Sequence, residues 1–121
     1  MPEMRFELQS FRESIERLPG VTMAPHRFGG VEFQVHGLEF MHFHDDTHLD
    51  ARLSKEDQSM VLSENKAEHH QFAPEAGWVT VRIRSHKELD NAREVARLAY
   101  SRAKRIMEDP LARRDASNKV Q

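Results

Sequence analysis

The chain has 121 residues, no cysteine and a formal net charge of −2. Without cysteine there are no disulfides and no thiolate ligands, so any metal must be held by His, Asp or Glu. No stretch approaches the roughly 20 apolar residues of a membrane span, and the start "MPEMRFELQSFRES" lacks the apolar segment of a secretion signal, so a cytoplasmic protein with no membrane partner is expected.

Met4, Leu8, Phe11, Ile15 and Leu18 recur at spacings of four and three, which predicts an N-terminal helix with one apolar stripe, stopped at Pro19-Gly20. From Val21 the pattern becomes strand-like: "VEFQV" alternates Val31, Phe33 and Val35 with Glu32 and Gln34, between turns at Gly29-Gly30 and His36-Gly37. "LEFMHFH" and "HLDARL" follow as a hairpin across Asp45-Asp46-Thr47, whose Asp side chains suit a tight turn. Ser54 then caps a short helix running through Leu62. "WVTVRIR" is the clearest strand, and Ser85 with Glu88 three residues on forms a capping box for a long helix ended by Pro110. That helix aligns Leu89, Ala92, Ala96, Ala99, Ala103 and Ile106 on one face.

The order predicts an α+β fold: an antiparallel sheet of about five or six strands in meanders and hairpins, with an N-terminal, a short middle and a long C-terminal helix on one face. Residues 1–108 are expected to form a single domain with one core, and residues 109–121 a flexible tail.

Charge is unevenly spread. Residues 1–78 hold seven Lys/Arg against fourteen Asp/Glu, whereas 79–121 hold eleven against six. The basic last helix, with Arg93, Arg97, Arg102, Lys104 and Arg105, gives a weak nucleic-acid interface as one reading. The lack of interleaved aromatics and of a basic total favours a solvated helix face instead.

The densest chemistry lies in "FMHFHDDTHLD", residues 40–50, which holds three histidines and three aspartates. By the two-residue period of strands, Val79, Val81, Ile83, Leu49, Ala51 and Leu53 face the helices, and Met41 and Phe43 are assigned to the same core. The other face then carries His42, His44, His48, Asp50, Arg52, Trp78, Thr80 and Arg82, with His69 or His70 arriving from the adjacent segment. His42 and His44 project in parallel, and a cross-strand His48 or Asp50 completes a ligand set suited to zinc or another divalent ion. The plain alternative is a polar hairpin whose histidines hydrogen-bond to neighbouring aspartates. No H-E-x-x-H or G-x-S-x-G motif is present. The one tryptophan, Trp78, starts a strand, where such a residue most often caps a core.

"MHFHDDTHLDARL", "AEHHQFAPEAGWVTVRIRS" and "ARLAYSRAK" together resemble the small bacterial and fungal domain of unknown function labelled the luciferase family, over about residues 27–104. The resemblance brings no catalytic residue with it. Light emission is not expected, because a flavin-dependent luciferase needs a barrel of around 250 residues, an adenylating one is longer, and a disulfide-rich secreted one needs cysteines. A strand opening with Trp78, followed by a helix with Tyr100 and Ala103 near its end, is also similar to the MmcQ/YjbR-type proteins, which share this architecture and are described as DNA-binding.

The leading functional reading is a binding module for a small polar or anionic ligand or a partner, on the open sheet face. His42, His44, Asp50, Arg52, His70, Trp78 and Arg82 form the site, with Trp78 stacking and the arginines holding negative charge. The second is a small metal- or His-dependent enzyme on the same face, with His42, His44, His48 and Asp50 as zinc ligands. The third makes that face a homodimer surface. Fold alone does not choose among them.

Overall fold

The computed structural model describes residues 2–26, 29–71 and 73–109. Helix α1 (Pro2–Glu16) is followed by strands β1 (Val21–Pro25), β2 (Val31–Val35), β3 (Leu38–Asp45) and β4 (His48–Arg52), helix α2 (Lys55–Ser63), strand β5 (Glu68–His69), a 3-10 turn at Pro74–Ala76, strand β6 (Trp78–Arg82) and helix α3 (His86–Glu108). The six strands form one antiparallel sheet in the order β1-β2-β3-β4-β6-β5. The α+β expectation therefore holds. Pro110, expected to end the last helix, and residues 110–121 of the expected tail lie outside the described residues.

The helices begin where the side-chain chemistry allows. Ser54 Oγ accepts the Asp57 amide at 3.1 Å and Ser85 Oγ accepts the Glu88 amide at 3.2 Å, each satisfying an amide that the first helical turn leaves unpaired. Glu88 Oε1 also accepts the Arg84 amide at 2.7 Å, so the entry to α3 is held from both sides.

One face of the sheet is sealed by apolar packing. Met41, Leu49, Ala51 and Val79 are 0% exposed, and α3 lays Leu89, Ala92, Val95, Ala96, Ala99 and Ala103 against them, all buried. Small residues along α3 let its backbone approach the sheet. α1 adds Met4, Leu8, Phe11 and Ile15 to the same core, and Tyr100 Oη donates to the Pro19 carbonyl at 2.7 Å, tying α3 to the turn after α1. Each fully buried aliphatic side chain contributes roughly 1.5–3 kcal/mol.

Strand β3 departs from simple alternation twice. Phe33 pairs with Met41 while Gln34 pairs with Glu39, so Phe40 is an extra residue. Phe43 pairs with Leu49 while Asp45 pairs with His48, so His44 is another. Period-two alternation puts Phe40 on the face of His42. The first bulge instead turns it into the core, where it is 0% exposed and packs edge-on against Tyr100 at 5.8 Å. The same irregularity leaves Glu39 beside His42 on the uncovered face.

Candidate metal and ligand site

The uncovered face is built from β3, β4 and β6. Register places His42 opposite Asp50 and Asp50 opposite Thr80, so the three stand in one row across the sheet. Their neighbours in sequence, Met41, Leu49 and Val79, point the other way into the core. This confirms the two faces expected from alternation. It also departs from expectation in one respect: Asp50 is 1% exposed and His42 7%, although no described helix covers them.

Histidines cover them instead. Asp50 Oδ2 lies 3.0 Å from His42 Nε2, 2.7 Å from His44 Nε2 and 3.2 Å from His70 Nε2. Asp50 Oδ1 accepts from Thr80 Oγ1 at 2.6 Å and lies 3.5 Å from His48 Nε2. Five side chains from four segments thus converge on one carboxylate. Trp78, half-buried, sets its ring 5.2 Å from that of His42 and 6.0 Å from that of His70, so it walls the cluster rather than capping the apolar core.

Two members were not singled out in the sequence. Glu39 Oε2 accepts from His42 Nδ1 at 2.8 Å, and His26, just beyond β1, stacks its ring on His42 at 4.2 Å with Nε2 3.4 Å from the same Glu39 oxygen. The His26 loop closes through His26 N to Gly30 O at 3.1 Å, and a Cβ on Gly30 would stand 1.9 Å from the Phe43 carbonyl. Only glycine lets this loop lie against β3 beside the cluster.

The electrostatics follow from these contacts. Burial alone would lower the pKa of His42, but hydrogen bonds to the Asp50 and Glu39 carboxylates outweigh it and raise the value to about 9. Asp50 is held well below the usual carboxylate range: burial opposes this, and hydrogen bonds from His42, Thr80 and His44 overcome it. His48 is lowered by burial first, with Asp50 opposing and the charges of His44 and Arg82 reinforcing the shift. At the hairpin tip, the Thr47 amide and hydroxyl hold Asp45 low and make it a turn residue, as expected.

The expected site residues therefore divide. His42, His44, Asp50, His70 and Trp78 are brought together, with Thr80 beneath and His48 on the far carboxylate oxygen. Of the two histidines left open by the sequence, His70 arrives; His69 pairs with Val79 in β5 and is exposed. Arg52 and Arg82 stand at the rim and are engaged there: Arg52 Nε donates to the Ala76 carbonyl at 2.9 Å, and Arg82 Nε lies 3.7 Å from Glu68 Oε2. On the basic helix α3, Arg93 lies over the Phe11 ring at 5.7 Å and Lys104 over the Tyr100 ring at 5.8 Å, so two of its cations pack against aromatics.

Among the described residues, two groups bring ligand atoms close enough to share an ion: His42, His44 and Asp50, and His26, Glu39 and His42. No described helix is long and apolar enough to cross a membrane. Fold and site together define a small α+β protein with one helix-covered sheet face and one face organised around a buried carboxylate ringed by imidazoles. A family model, the luciferase domain, matches residues 37–99, just over half of the chain and the whole span from β3 into α3. The chain belongs to the luciferase-domain family, as the hairpin, the "GWV" strand and the last helix had suggested. No curated protein and no solved structure matches it.

Proposed function

We propose that the protein binds a divalent transition-metal ion on the open sheet face through His42 Nε2, His44 Nε2 and Asp50 Oδ2, and that the ion presents its remaining positions to a small ligand. One observation carries this reading. Three imidazole nitrogens crowd within 3.2 Å of a single buried carboxylate oxygen, which has only two lone pairs for hydrogen bonds. A cation held by two of these nitrogens, those of His42 and His44, and by the oxygen suits such convergence better than three donors on one acceptor do. The spacing suits it as well, since ligand atoms around a tetrahedral zinc with bonds of 2.0–2.1 Å stand about 3.3 Å apart.

The surroundings support the same reading. Metal-bound histidines commonly donate their second ring N–H to a carboxylate, which fixes the tautomer; at His42, Nδ1 donates to Glu39 Oε2. Thr80 holds Asp50 Oδ1, leaving Oδ2 for the ion. Two histidines and one carboxylate leave open positions on the metal, as in sites that bind substrate or oxygen. His44, 36% exposed at its side chain, stands at the solvent edge where a ligand enters.

The test is thermal unfolding with and without Zn²⁺. At a hundredfold excess over its dissociation constant, a native-state ligand adds about 2.7 kcal/mol. Wild type is expected to gain accordingly, and the double variant His42→Ala, His44→Ala to gain nothing. No gain in wild type leaves a metal-free polar cluster whose histidines bind an organic ligand or serve only each other. An equal gain in both proteins moves the metal to other histidines.

A further inference from the structure

His70 differs from the other histidines around Asp50 in a way that fixes its role. Its Nδ1 accepts the backbone amide of Ala73 at 2.9 Å. A backbone N–H can only donate, so Nδ1 carries no proton and the neutral ring must carry its proton on Nε2. That Nε2 lies 3.2 Å from Asp50 Oδ2. A nitrogen that keeps its proton has no lone pair for a metal, so His70 stands beside the ion without ligating it. His42 is the contrast: there Nδ1 faces the Glu39 carboxylate and Nε2 is the nitrogen left to coordinate.

We infer that His70 is a hydrogen-bond donor to an anionic oxygen ligand, of the carboxylate class, held at the open position of the metal. This rests on the metal reading above. With one lone pair of Asp50 Oδ2 given to the ion, the Nε2–H of His70, 3.2 Å from that oxygen, would stand at the edge of the site, within reach of an oxygen of a further ligand on the ion. The ring is held by the Ala73 amide and lies against Trp78, whose centroid is 6.0 Å away. It reaches the site from the segment after β5, not from the β3–β4 hairpin that supplies the ligands. A divalent ion with one carboxylate ligand and neutral imidazoles keeps a positive charge, which favours a monoanion. Arg52 and Arg82 at the rim add to that charge, while Glu39 and Glu68 oppose it. A fixed N–H beside a cation suits an oxygen that is bound through one atom and hydrogen-bonded through the other.

Cobalt-loaded protein provides the test, because the visible bands of Co²⁺ respond both to metal uptake and to a change in its ligands. Acetate is titrated into wild type, His70→Phe and His70→Gln. His70→Phe keeps a ring against Trp78 but has no donor; His70→Gln returns an amide N–H. All three are expected to take up one Co²⁺ per chain with similar affinity. Acetate binding is expected to weaken about tenfold in His70→Phe, the worth of one charge-assisted hydrogen bond, and to recover in part in His70→Gln. Loss of cobalt affinity in both variants would make His70 a ligand and overturn the inference. So would acetate binding that is the same in all three. Absence of cobalt uptake by wild type overturns the metal reading and the inference with it. Nitrogen NMR of the metal-free protein supplies a readout that no folding defect of a variant can blur: the proton of the neutral His70 ring belongs on Nε2, and a proton found on Nδ1 contradicts the assignment.

Discussion

Leu49 and Asp50 are adjacent in β4 and are both shut away from water, 0% and 1% exposed, yet they are buried by opposite means. Leu49 points to the face that α1 and α3 cover, where apolar area removed from water is the driving force. Asp50 points to the face that no described helix covers and is hidden by the imidazoles and the hydroxyl it binds. A charged group this deep is tolerable only when its partners are in place. Among the described residues no buried side-chain nitrogen or oxygen lacks a hydrogen-bond partner. The helix-covered face thus holds the fold together, whereas the open face spends polar groups on a specific arrangement and needs all of them present.

Substitutions one position apart should separate the two. Leu49→Ala leaves a cavity in the core and is expected to cost about 2–5 kcal/mol, with the response to zinc preserved in whatever fraction stays folded. Asp50→Asn keeps the volume but removes the charge that the histidines surround. It is expected to cost about 1–3 kcal/mol in metal-free protein and to abolish the zinc response. Denaturant unfolding with and without metal checks both; a zinc response that survives in Asp50→Asn breaks the contrast.

The open face should also respond to pH in a way the apolar face cannot. The pKa of His42 is raised from 6.5 to about 9, so in metal-free protein its contribution to stability is full below about pH 6.5 and lost as pH rises through about 9. Asp50 is shifted the other way, so its contribution is present above about pH 4 and lost only in strong acid. The denaturation midpoint of chelator-treated protein is expected to fall between about pH 6 and pH 9.5, and His42→Gln to flatten that slope. A slope unchanged in the variant would assign the titration elsewhere.

The smallest expected effect lies away from both faces. Ser85→Ala removes the hydroxyl that accepts the Glu88 amide and should cost about 0.5–2 kcal/mol. It should leave zinc binding as it was. An unchanged unfolding midpoint would mean that Glu88, bonded to the Arg84 amide, holds the helix start alone.

Much of this was legible in the sequence because it is periodic. Alternation in "WVTVRIR" and "HLDARL" placed Val79, Leu49 and Ala51 against the helices and His48, Asp50 and Thr80 opposite. The capping pair Ser85 and Glu88 marked the start of α3. What periodicity cannot carry was missed. Glu39 sits beside His42 only because Phe40 is an extra residue; the consecutive apolar pair Phe40-Met41 was the one sign of that bulge. His26 comes from a separate loop held close by Gly30, a contact with no local pattern. The sequence does not choose between His69 and His70, because β5 is only two residues long, too short to show a period; its pairing with β6 decides for His70. The burial of Asp50 was invisible for the same reason, since side chains from four segments create it.

The most direct measurement of the central claim is the position of a bound metal in crystals of zinc-soaked protein, from anomalous scattering at the zinc edge. One peak per chain is expected, about 2 Å from His42 Nε2, His44 Nε2 and Asp50 Oδ2, with His70 beyond bonding distance and still accepting the Ala73 amide. A peak at the exposed His69 or at the surface pair of His86 Nδ1 and Glu7 Oε2, 2.8 Å apart, or a cluster that stays closed on Asp50 with no peak at saturating zinc, would contradict it.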